Sequence, residues 1–149
     1  IQSAVPATRE TKTHLQEQIL KRTTKAIVVN ADNMPCLQMS KRVERASRIL
    51  VSVSNDNSQV LSHCLGGGKA VYRQHHNGLD WLCLCSGAEI EFLMPIKDIA
   101  VTAQGGQPAM AKDAFYAVAL AWAQNVKLKH IHQSISNFQA VDFVPDFDT

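Results

Sequence analysis

Apolar and polar positions alternate in blocks along the first half of the chain. Ala26-Ile27-Val28-Val29 is a short apolar run that ends in the turn formers Asn30-Ala31-Asp32-Asn33. A continuous β-branched run bounded by turn residues suits a buried strand of a parallel sheet. The pattern predicts a helix over 34–45, with Pro35 in its first turn and Leu37 and Val43 turned inward. Ile49-Leu50-Val51-Ser52-Val53 repeats the strand pattern and runs into Ser54-Asn55-Asp56-Asn57-Ser58. A short helix over about 58–64 follows, closed by Gly66-Gly67-Gly68. A further helix is expected ahead of these elements, over 9–23, with Leu15, Ile19 and Leu20 on one side. The order β-α-β-α is that of a parallel sheet with helical crossovers.

The middle of the chain changes period. Ala70–Gln74, Leu79–Cys85 and Glu89–Pro95 are three strand candidates, with Asn77-Gly78 as a hairpin turn and Ser86-Gly87 as a second separator. They predict a small antiparallel meander in which Ile90, Phe92 and Met94 oppose Glu89, Glu91 and Leu93. After Ile99-Ala100-Val101 and Gly105-Gly106 comes the plainest helical pattern. Ala111, Ala114, Phe115, Val118 and Trp122 recur at helical spacing, and Asn125 is a left-handed stop. A last helix over about 127–138 presents Leu128, Ile131, Ile135 and Phe138 on one face. The expected fold class is α/β: a partial parallel sheet of two or three strands with helical crossovers, and a small antiparallel meander beside it. One domain spans 1–140, and 141–149 is an acidic C-terminal linker.

Composition narrows the function classes. The 149 residues carry a formal charge of +2, with Lys and Arg scattered apart from modest Lys41–Arg48 and Lys127–His132 stretches that read as solvated helix faces, which argues against nucleic acid as a partner. No apolar run approaches the roughly 20 residues that cross a membrane, and the polar first 25 residues are not a signal peptide. Cys36, Cys64, Cys83 and Cys85 are irregularly spaced in apolar segments, so reduced cytosolic thiols are expected and the localisation is read as cytoplasmic. The chain begins at Ile1 rather than Met, as a processed chain or a piece of a longer one would.

Taken in order, several motifs resemble the second half of the central domain of Mur ligases, closest to the Mur-like module of cyanophycin synthetase. They are Val28-Val29-Asn30-Ala31-Asp32-Asn33, Gly67-Gly68-Lys69-Ala70-Val71, Pro95-Ile96-Lys97-Asp98-Ile99, Gly105-Gly106 and Asp113-Ala114-Phe115-Tyr116-Ala117-Val118-Ala119. The resemblance runs over about 20–138. It implies a parent that makes amide bonds with ATP and Mg²⁺, phosphorylating a carboxylate that an amine then attacks. It also implies partners: the phosphate-loop half and C-terminal domain of the same polypeptide, and further copies of the chain in a homo-oligomer.

The sequence has no Gly-x-x-x-x-Gly-Lys-Ser/Thr, so it carries no phosphate cradle of that type. The family's metal ligands also lie mainly in the other half, so this chain alone is expected to bind neither cofactor. The resemblance places the nucleotide-side residues at Asn30, Asp32, Asn33, Met110 and Asp113. Two of these depart from the family, whose Asn-x-x-Asn-Ala turn puts amides beside the adenine. Methionine lacks an amide's paired donor and acceptor, and an ionised carboxylate cannot donate. Nucleotide recognition is therefore expected to be weakened or lost.

Other candidates read as structure. Cys83 and Cys85 face one way on a strand but lack zinc-site spacing and a second ligand pair. His75-His76 belongs to a hairpin tip, and His130 and His132 do not share a helix face. Gly66-Gly67-Gly68 follows a helix and precedes a strand, the wrong context for phosphate. Gly105-Gly106, just ahead of a helix, is the one glycine pair placed to face a ligand, and reads equally as a turn chosen for backbone geometry alone. His63-Cys64 has no orienting partner. Three functions follow: the adenine-side half of an ATP-dependent amide ligase, a degenerate scaffold of the same fold, or a freestanding binding protein.

Overall fold

The computed structural model describes residues 26–43, 47–99 and 108–137. They form an α/β structure around one five-stranded mixed sheet in the order β1-β2-β3-β4-β5. β1 (Ala26–Asn30), β2 (Ser47–Ser52) and β3 (Lys69–His76) are parallel. β4 (Leu79–Ser86) and β5 (Glu89–Pro95) continue the sheet antiparallel. The meander is thus not beside the parallel sheet but part of it, because β3 pairs parallel to β2 and antiparallel to β4.

Two short crossover helices cover one face of the parallel strands. α1 (Met34–Ser40) is capped by Asn33 and has proline in its first turn. It stops at Ser40, short of the expected 45, and Val43 is only half-buried against the core. α2 (Ser58–Leu65) is capped by Asn57 and ends at Gly66, with Gly67 at φ +94°. Leu37 and Val60 from these helices join Ile27, Val29, Leu50, Ala70 and Tyr72 in one buried layer.

The other face carries α3 (Pro108–Ala123) and α4 (Leu128–Asn137). Phe115, Val118, Ala119, Ile131 and Ile135 pack there on Ile49, Val51, Val71, Leu82 and Leu84. Asn125 sits at φ +64° between the two helices, the left-handed stop its sequence position predicts. The buried alanines of α3 let it lie close across β1, β2 and β3.

The expected alternation in β5 breaks at one point. Leu82 pairs with Met94 and Cys83 with Phe92, so a bulge leaves Leu93 unpaired. Leu93 and Met94 therefore both enter the α3/α4 core, whereas Phe92 packs on the opposite face and Ile90 is 48% exposed. The expected helix over 9–23, Gly105-Gly106, Phe138 and the tail 141–149 lie outside the described residues. Among the described residues no helix is long and apolar enough to cross a membrane.

Candidate functional site at the carboxyl ends of the parallel strands

In open parallel sheets, ligands settle outside the carboxyl ends of the strands. Here that end is built by the β1–α1 and β2–α2 turns, and a single carboxylate ties them together. Asp32 Oδ1 accepts from the Ser52 hydroxyl at 2.7 Å and from Asn57 Nδ2 at 2.9 Å. Its Oδ2 accepts from the Val53 amide at 2.9 Å. Burial pushes the Asp32 carboxyl up, but the hydrogen bonds from Ser52, Asn57, Val53 and Ser54 together outweigh it and hold the group below its ordinary value.

The neighbouring polar groups are engaged as well. Asn30 Oδ1 accepts from the Asp32 amide at 3.0 Å, closing a tight Asx turn. Asn33 Oδ1 accepts from the Cys36 amide at 3.0 Å and starts α1. Asn57 accepts from the amides of Gln59 and Val60 while its own amide reaches Ala31 O at 3.1 Å. One asparagine thereby caps α2 and holds the β1–α1 turn.

Asn30, Asp32 and Asn33 therefore converge in one turn. α3, which carries Met110 and Asp113, crosses the sheet against β1. Asp113 is exposed, and the Met110 side chain lies outside what is described. Burial first, and then the Asp32 charge, push the hydroxyl of Tyr116, one turn beyond Asp113, up to about 12. Ser52, Asn57 and Tyr116 are parts of this site that sequence reasoning missed. An apolar strand with one serine, and a turn rich in Asn and Ser, give no hint of which hydroxyl or amide meets a distant carboxylate. A cavity of about 220 Å³ borders the site and shares Ser54 and Asn57 with it.

The donor set suits hydrogen bonding rather than proton transfer or metal binding. Asp32 accepts three hydrogen bonds from protein donors, and no trio of His, Cys, Asp or Glu able to hold a metal occurs among the described residues.

Elsewhere, His75 Nδ1 lies 2.9 Å from Asp80 Oδ1, and Arg73 also pairs with Asp80. His75 is exposed at the hairpin tip as expected, but it has a carboxylate partner on the facing strand. His130 and His132 are exposed on α4.

The cysteines depart from expectation. Cys83 and Cys85 share one buried face, as strand spacing requires, but Cys85 is disulfide-bonded to Cys64 near the end of α2. Only Cys36 and Cys83 are free thiols. The expectation of four reduced thiols fails because the fold brings two cysteines 21 residues apart to a Cα separation of 6.3 Å, within bonding range.

The fold and site define an α/β chain with helices on both sheet faces and a clasped carboxyl-end turn. Neither a family model nor a curated protein sequence matches this chain.

Proposed function

We propose that this chain is the adenine-side half of the nucleotide domain of an ATP-dependent amide ligase of the cyanophycin-synthetase type. What carries the reading is a convergence. The Asn30–Asn33 turn leaves β1, and the helix bearing Met110 and Asp113, far apart in sequence, packs across that same strand, with the Asp32 charge acting on Tyr116 of that helix. In this reading Asn30, Asn33, Met110 and Asp113 border the base, and Asp32 holds the turn. ATP and Mg²⁺ act in the parent, whose other half supplies the phosphate loop and metal ligands. The chain alone hydrolyses no ATP. In this reading it works in the cytoplasm, where ATP and amino acids are held; that placement rests on the ligase chemistry alone, since the Cys64–Cys85 bond removes the argument from reduced thiols.

A degenerate, non-catalytic scaffold is the second reading. It is favoured by Met110 and Asp113 standing, by the resemblance, where the family has amides, and by the use of Asp32 to hold its own turn. Among the described residues the outer edge of β1 pairs with no strand, a surface that suits the phosphate-loop half or a further copy of the chain.

The coding sequence ahead of Ile1 is the first test. An in-frame Gly-Lys-Ser or Gly-Lys-Thr loop about 100–200 residues upstream supports the ligase. An initiator codon beside Ile1 without such a loop overturns it in favour of the scaffold. In the full polypeptide, M110N/D113N is expected to tighten adenine-nucleotide binding, and no gain counts against the site.

A further inference from the structure

A second cavity lies at the opposite end of the parallel strands. A cleft of about 690 Å³ opens between α1 and α2 at the amino ends of β2 and β3. Its volume is that of a site for a small metabolite. Leu37 and Leu50 give it an apolar floor, while Gln59 and Ser62 line one wall at helical spacing. Lys41, Arg48 and Lys69 line it, and no carboxylate is among the described lining residues; the Lys69 ammonium lies over the Trp122 ring at 4.9 Å, which leaves Lys41 and Arg48 as the two cations for the cleft.

Three observations argue that these cations are not there to satisfy the helix ends. The last carbonyls of α1 are already taken: Gln38, Met39 and Ser40 by the amides of Lys41, Arg42 and Val43. Those of α2 are taken too: Ser62, His63 and Cys64 by the amides of Gly66, Gly68 and Gly67. Finally, Arg48 is positioned rather than loose, because its Nη1 donates to the buried Ser40 hydroxyl at 3.2 Å. That hydroxyl in turn donates to Leu37 O at 2.6 Å.

The wall beside Arg48 is fixed as well. His63 Nε2 lies 3.0 Å from Arg48 O, which can only accept, so this nitrogen carries the proton. The ring packs on Gly68, where an added Cβ would fall 2.3 Å from Nε2. Gly68 thus makes room for a histidine that closes the cleft, a role distinct from phosphate wrapping by the glycine loop.

We propose that this cleft is a phosphate site, taking inorganic phosphate or the phosphate group of a small metabolite. Arg48 and Lys41 would bind its oxygens, with Ser62 and Gln59 as neutral partners for the rest of the ligand. The site is separate from the carboxyl-end turn and stands whether or not the ligase reading does.

The test is an amide-shift titration of the 149-residue chain by NMR, with inorganic phosphate, O-phosphoserine and succinate as probes. The expected result is saturable movement of the Arg48, Ser62 and Gly66–Gly68 amides with phosphate or phosphoserine, and weaker movement with succinate. Tighter binding of phosphoserine assigns a phosphorylated metabolite, and equal binding assigns free phosphate. K41Q, at an exposed position, should weaken binding about tenfold, and Ser62→Glu should abolish it without unfolding the chain. The proposal is overturned if these amides move no more than those around Lys112 and Lys129, if succinate binds as tightly as phosphate, or if K41Q and Ser62→Glu bind unchanged.

Discussion

The fully buried Ser52 hydroxyl donates to Asp32 Oδ1 at 2.7 Å, joining the end of β2 to the turn that leaves β1. Asn57 reaches the same oxygen, so one carboxylate holds two crossovers in register. Whatever binds at this end meets a turn whose shape depends on that charge.

Acid should therefore loosen the site. Because Asp32 is held below its ordinary value, the folded chain binds its proton less readily than the unfolded chain. Its contribution is complete above the usual carboxylate range and is lost as pH falls through the lowered folded value. Asp80, held down by the Arg73 guanidinium and then by His75, acts with the same sign. D32N should cost about 1–3 kcal/mol at neutral pH and flatten part of the acid limb of a urea-denaturation series. An unchanged limb would show that the clasp contributes nothing.

Gly68 and His63 should behave as a coupled pair. G68A forces the His63 ring off its site and away from Arg48 O, at a cost of about 1–2 kcal/mol. In an H63A background the same substitution should cost much less. A double-mutant cycle by chemical denaturation reads the difference, and strict additivity would refute the packing argument.

Thiol chemistry checks the disulfide. The chain purified in air should show two reactive sulfurs at most, Cys36 first. Cys83 is fully buried, and burial pushes its thiol up to about 12, so it should stay silent until the chain unfolds. Reduction of the Cys64–Cys85 bond should lower stability by about 3 kcal/mol, the loop entropy of a cross-link over this separation. Four thiols titrating in the native chain before reduction would contradict the pairing.

The α3 core should be unforgiving at one position and tolerant at another. F115A removes a fully buried ring between helix and sheet and should cost about 3–5 kcal/mol. L120A, on the exposed side of the same helix, should stay within about 0.5 kcal/mol. Thermal melts of the two variants distinguish a helix that faces the sheet this way from one rotated about its axis.

Most of the fold was legible because its elements announce themselves locally. Ile27-Val28-Val29 and Ile49-Leu50-Val51 read as strands from composition, Asn77-Gly78 as a hairpin, and Asn125 as a helix stop from its tolerance of positive φ. What stayed hidden depends on tertiary distance. The Leu93 bulge is a property of the β4–β5 pairing, not of either strand. The Cys64–Cys85 bond needs α2 laid over the sheet before its two sulfurs are neighbours. At the site, Asn30, Asp32 and Asn33 were visible as a turn, but their partners Ser52 and Asn57 follow from a neighbouring crossover.

The double pairing of β3 has a consequence for the order of assembly. Its antiparallel neighbour β4 is joined to it by a short turn, as β5 is to β4, whereas β2 and β1 reach it only through helical crossovers. Contacts close in sequence form fastest, so the β3–β4–β5 ribbon should condense early and offer its free side to β2 as a template. Pulse-labelled hydrogen exchange should then protect the amides of Val71 and Leu84 before those of Val28, and the nucleation of this sheet would lie at the end farthest in the chain from the Asn30–Asn33 turn.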